Sequence, residues 1–114
     1  METLQQKQLQ FLNDTVNHFN INNRGANKFT NRCSYKDGCA IGRHLTPELC
    51  DKFDKNGSAL FALFDQLPKN LQELGKDFLR EIQILHDNEY NWNQTGLSKI
   101  GKEKVEYIKR VYNL

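Results

Sequence analysis

The feature that constrains this chain most is an apolar stripe near its middle. Leu71, Leu74, Phe78, Ile82 and Leu85 fall at offsets of 3, 7, 11 and 14, the spacing that gathers side chains on one face of an α-helix. A helix with one dry face must be covered, so the rest of the chain is expected to supply the cover. Leu9, Leu12, Val16 and Phe19 repeat the pattern and predict an amphipathic helix over residues 3–19 with a Gln- and Asn-rich outer face. Ser98 is placed to cap a last helix carrying Ile100, Val105, Ile108 and Tyr112.

Shorter elements fill the space between. Thr46-Pro47-Glu48 is a helix start, with a capping hydroxyl, a proline suited to the first turn and an acid suited to the positive end of the dipole. That helix is expected to run to about Phe53, where Asp54-Lys55-Asn56-Gly57 breaks it. Ser58 then caps a segment holding Leu60, Phe61, Phe64 and Leu67, ended by Pro68. Six of the fifteen residues from Asn17 to Asn31 are Asn, and Asn88–Gly96 sets Tyr90 and Trp92 among further Asn residues, so both stretches read as loops. Arg32–Tyr35 and Cys39–Ile41 are strand-like and flank Lys36-Asp37-Gly38, a three-residue hairpin loop. That register puts Cys33, Tyr35, Cys39 and Ile41 on one inward face; a two-residue Asp37-Gly38 turn would split them. The expected fold is α+β and mostly α, a small β-hairpin packed among four to five helices, in one domain spanning residues 1–114.

Sixteen basic against fourteen acidic side chains leave a net charge of +2, too even for a protein that coats nucleic acid or an acidic membrane. Lys99, Lys102, Lys104, Lys109 and Arg110 lie on the last helix, but Glu103 and Glu106 interrupt them, which reads as a solvated face with ion pairs. Tyr107 and Tyr112 suit a homo-oligomer interface. No apolar run approaches the ~20 residues needed to span a bilayer, and no apolar signal segment follows the first residues. A soluble, cytoplasmic protein with no membrane partner is expected.

Three cysteines, Cys33, Cys39 and Cys50, argue against a disulfide framework. With His44 they form C-x5-C-x4-H-x5-C, a ligand set chemically suited to zinc. Its spacing fits poorly, because diagonal hairpin positions lie about 7–8 Å apart. Cys50 sits on the apolar side of its helix, as a small buried hydrophobe. His86-Asp87 is similar to the adjacent pair of metal-dependent phosphohydrolases, yet only His18 and His44 lie upstream and no Asp follows. A backbone-bonded His86 at a helix C-terminus is the plainer reading. Neither a metal nor a cofactor is called for, and no catalytic residue is assigned.

The richest segment runs from Arg32 to His44. Cys33–Tyr35, Gly38–Gly42, Leu45–Glu48, Ile82–Asp87 and Trp92 together resemble a family of small, mostly uncharacterised phage- and prophage-encoded proteins, and the likeness covers most of the chain from Phe11 onward. Arg43 stands where many members carry Cys or another residue, and the hairpin loop here is shorter. The resemblance implies a phage accessory protein, active in host takeover or against host defence and so in the host bacterial cytoplasm, more firmly than any reaction. Physically, a hairpin ending at Gly42 beside a helix start at Thr46 offers backbone N–H groups, Arg43 and His44 to an anion. Arg32 and Lys36 add positive potential, Tyr35 and Trp92 offer rings for stacking, and Asp87 a contact to the rest of a ligand. Arg32, Tyr35, Lys36, Arg43, His44, Asp87 and Trp92 are therefore the candidate binding residues. The expected function is non-enzymatic sequestration of a small phosphate-bearing ligand such as a nucleotide immune signal. The competing readings are inhibition of a host protein through a surface and, more remotely, a small metal-dependent phosphohydrolase. In a plain structural reading the same residues are core, turn and solvated charge.

Overall fold

A computed structural model of the protein describes residues 2–22, 40–55 and 64–114, with backbone only at 53–55. Among these residues are five α-helices, α1 (Leu4–His18), α2 (Pro47–Lys55), α3 (Lys69–Gln72), α4 (Lys76–Asp87) and α5 (Lys99–Tyr112), and one two-stranded antiparallel hairpin, β1 (Trp92–Asn93) with β2 (Gly96–Leu97). The fold is mostly α with a small hairpin, but this hairpin is not the one read from the sequence. Residues 33–39 lie outside the described residues. Ala40 and Ile41 are buried in a turn, with Ile41 in a helical conformation rather than a strand. The hairpin that is seen forms inside the Asn-rich stretch read as a loop, where Trp92 pairs with Leu97 and Asn93 with Gly96.

The helix starts follow the local sequence. Thr3 and Gln6 close a reciprocal capping box on α1; the Thr46 hydroxyl accepts from the Leu49 N–H at 3.3 Å; and the Ser98 hydroxyl accepts from the Gly101 N–H at 3.1 Å.

The central stripe is broken where periodicity runs through it. Gly75, at φ +94°, separates α3 from α4, in a conformation that L side chains rarely adopt. Leu71 and Leu74 still reach the same core, but from a separate short helix. Two further corrections concern which face is inward. On α1 the buried residues are Gln8, Leu12 and Thr15, followed by Phe19. Gln8 turns in because its amide donates to the Leu74 carbonyl at 2.9 Å, closing the α3–α4 bend. On α5 Val105 and Ile108 are buried and Tyr112 packs edge-on against Phe78, whereas Ile100 is exposed.

Gly101 takes the place expected for Ile100. A Cβ there would stand 2.1 Å from the Asn91 carbonyl oxygen and 2.9 Å from Leu97 Cδ2, so α5 seats directly on the turn before it. Gly→Ala in a helix interior ordinarily stabilises by about 1 kcal/mol. Here the sign is expected to reverse, with Gly101→Ala costing about 1–3 kcal/mol through overpacking against backbone. Urea unfolding measures this, and a variant as stable as the parent would contradict the packing described.

Candidate functional site

The C-terminal ends of α1 and α4 and the 3-10 turn Gly42–His44 come together around one ring, Phe19. The turn is held by His44 N–H to Ile41 and Leu45 N–H to Gly42, both at 3.0 Å, and anchored by Ala40 and Ile41, which are completely buried. Cys50 presses on it from α2, its buried thiol 3.5 Å from the Gly42 carbonyl. From this turn Arg43 sets its guanidinium 5.8 Å from the centre of the Phe19 ring. His18 lies edge-on to Phe19 with ring centres 4.5 Å apart, and His86 meets it at 4.6 Å and 72°. His44 stacks at a tilt on Phe11, 5.0 Å away.

The electrostatics follow from this crowding. Burial and then the positive Arg43 hold the His44 imidazole below its ordinary value of 6.5, with Asp14 opposing. His18 is held down by burial, by Arg43 and by His86. Arg43 itself is lowered by burial and raised again by Asp14, yet a guanidinium stays charged at any neutral pH. Its Nε is buried and, among the described residues, has no hydrogen-bond partner. The solvated surface charge of the plain reading is thus half-buried on an aromatic ring.

His86 departs from its sequence reading. Its side chain is fully buried, and Nδ1 lies 2.9 Å from Asp87 Oδ1, which also accepts from the Gln83 amide at 2.8 Å. It does not bond a backbone carbonyl through that nitrogen. A carboxylate accepting at Nδ1 leaves the Nε2 of a neutral ring as the acceptor, and Nε2 finds no donor among the described residues. No group of three or more His, Cys, Asp or Glu that could hold a metal occurs among the described residues.

Of the residues singled out from the sequence, Arg43 and His44 are brought together on one turn, and Asp87 lies at the end of α4 on the His86 side. Trp92 is corrected: it is buried, and its indole N–H donates to the carbonyls of Leu85 at 3.2 Å and His86 at 3.1 Å. It packs 6.1 Å from Phe19 beneath the site and offers no face to a solute. Arg32, Tyr35, Lys36, Cys33 and Cys39 lie outside the described residues. Sequence reasoning missed His18, Asp14 and Phe19 as parts of the site. The only available signal was Phe19 as the last residue of the predicted stripe, with His18 beside it at the helix end.

An open groove of about 400 Å³ runs along the outer face of α1 from Glu2 to Asp14. Among the described residues its walls carry those two acids and no cation, which disfavours an anion there. No family model, curated protein or solved structure matches this chain.

Histidines that titrate below 6.5 in the folded protein bind fewer protons than in the unfolded chain over the interval between the two values. Stability is therefore expected to rise with pH through that interval and to be lost as pH falls through 6.5 toward the lowered values. Urea midpoints at pH ~5.5 and ~7.5 check the direction. The His18→Gln/His44→Gln variant should flatten the profile, and an unchanged slope would assign it elsewhere.

Proposed function

We propose that this protein is a non-enzymatic binder of a small phosphate-bearing ligand, held where Arg43, His44 and His18 meet, and that it acts as a phage accessory protein sequestering a nucleotide-like signal. The observation that carries the reading is Arg43, a guanidinium half-withdrawn from water, with an Nε that has no partner among the described residues and two imidazoles beside it. A cation in that setting is costly without an anion, and a phosphate supplies the paired acceptors that a guanidinium fork matches. Asp14 offsets part of the charge and leaves a local excess once the imidazoles protonate. Arg32, Tyr35 and Lys36 belong to the proposal through the Arg32–His44 segment, and Asp87 as a contact to the rest of the ligand. Trp92 supports the floor and is not a ligand contact. The phage setting, the anti-defence role and the host cytoplasm rest on the family resemblance of Cys33–Tyr35, Gly38–Gly42 and Ile82–Asp87.

Enzymatic phosphohydrolysis finds less support, because His86 and Asp87 bond each other and the imidazole is closed off from solvent. Among the described residues no helix is long and apolar enough to cross a membrane.

Native mass spectrometry with cyclic nucleotides and ADP-ribose derivatives tests the proposal. A stoichiometric adduct recovered unmodified is expected; turnover of the nucleotide would make the protein an enzyme. A protein that ignores the whole panel would overturn the ligand site and favour inhibition of a host protein. Arg43→Ala should weaken the adduct by about 10- to 100-fold, the worth of a charge-assisted contact. It should change the apo unfolding free energy by less than about 1 kcal/mol. Arg43→Lys should recover only part of the affinity, since an ammonium keeps the charge and loses the fork.

A further inference from the structure

The outer face of α5 carries an apolar stripe that the core does not use. Ile100, Tyr107 and Val111 are 55%, 46% and 52% exposed, and their offsets of 7 and 11 put them on one side of the helix, opposite Val105 and Ile108. Ile84, also exposed, widens it on α4: α4 and α5 run antiparallel, the Glu81–Lys104 bridge at 3.1 Å ties them, and Ile84 and Ile100 each lie one turn from it toward the connecting hairpin. Tyr107 is held in place, because the same Lys104 ammonium sits 4.7 Å from the centre of its ring.

Charge decides what fits this face. On the flank of the stripe away from Lys104 lie Glu103, four residues before Tyr107, and Arg110, three after it. Both are exposed, and neither forms an ion pair among the described residues, whereas Lys104 is bridged to Glu81 and Lys109 to Glu106. A helix laid across this one in the opposite direction about Tyr107 places its own Arg110 beside Glu103 and its own Glu103 beside Arg110. The pattern is self-complementary, as a two-fold interface requires.

We propose that the protein self-associates through α5, two copies packing antiparallel about Tyr107, with Ile100 against Val111 of the partner subunit and Glu103 paired with Arg110 of the partner subunit at each end. The contact is about 20 Å of helix, at the small end of specific interfaces, so the dimer is weak and concentration-dependent, with a dissociation constant on the order of micromolar. This inference stands apart from the ligand reading, since Arg43 and its neighbours are on other elements.

Sedimentation equilibrium on the whole chain over a wide concentration range tests it. The parent should pass from monomer to dimer. Glu103→Arg and Arg110→Glu should each weaken association about tenfold or more, by setting like charges opposite one another. The double variant should restore it, and an equimolar mixture of the two single variants should form a heterodimer. Both substituted positions are on the surface, and circular dichroism verifies that the variants are folded. A monomer at every concentration would overturn the proposal. So would a dimer indifferent to the charge reversals, or a double variant no better than either single one; a host protein captured by monomeric protein through Tyr107 would reassign the face.

Discussion

The last carbonyls of α4 hold the molecule together at the point where its chain turns back. Helix ends leave such carbonyls without intrahelical donors. Here the Asn91 amide donates to Leu85 at 2.9 Å, and the Trp92 indole divides its N–H between Leu85 and His86. Each orphaned buried acceptor would otherwise cost about 1–3 kcal/mol. To make these bonds the chain must reverse within a few residues of Asp87, which forms the 3-10 turn Glu89–Asn91 and the short hairpin after it. The Asn91 carbonyl then accepts from the Ser98 N–H at 2.9 Å and sits against Gly101, so the same turn sets where α5 begins and how closely it packs.

The same bonds organise the opposite side. Trp92, fixed by its indole N–H, forms a floor under Phe19; Phe19 in turn separates His86 from His18 and carries Arg43. An aromatic ring gives little back to charges taken from water, which is why both imidazoles nearest Arg43 are held toward their neutral forms. An anion bound there would draw them the other way and take up protons. Ligand binding and protonation would thus be linked through one cluster built on three elements.

The two faces of α5 divide the molecule's roles. The inner face, with Gly101, Val105 and Ile108, follows the demands of packing. The outer face leaves Ile100, Tyr107 and Val111 in water, which the protein's own core does not explain. Burying them against a second copy would withdraw that apolar surface from solvent, and Glu103 and Arg110 would pair across an antiparallel contact.

Much of this was legible in the residues. Period and caps are local signals, so the amphipathic helices, the starts at Thr46 and Ser98, and a mostly helical fold could be read without coordinates, whereas the hairpin at Trp92–Leu97 was read as a loop. The inward face of a helix was less legible, because it depends on what lies opposite: Gln8 is buried by the Leu74 carbonyl, and Ile100 is displaced by the approach of Asn91 to Gly101. Periodicity also ran through Gly75, where backbone conformation and not hydropathy ends the helix. Of the candidate site, Arg43 and His44 could be named from their neighbours in sequence. His18, Phe19 and Asp14 could not, since they lie more than twenty residues away and only the packing of α1 against the 3-10 turn brings them in. By itself the sequence determined which segments are helical and which side chains can carry charge, because those are properties of a residue and its near neighbours. Tertiary structure decided the partners of those charges and the role of Trp92, because burial and hydrogen-bond satisfaction belong to the assembled chain.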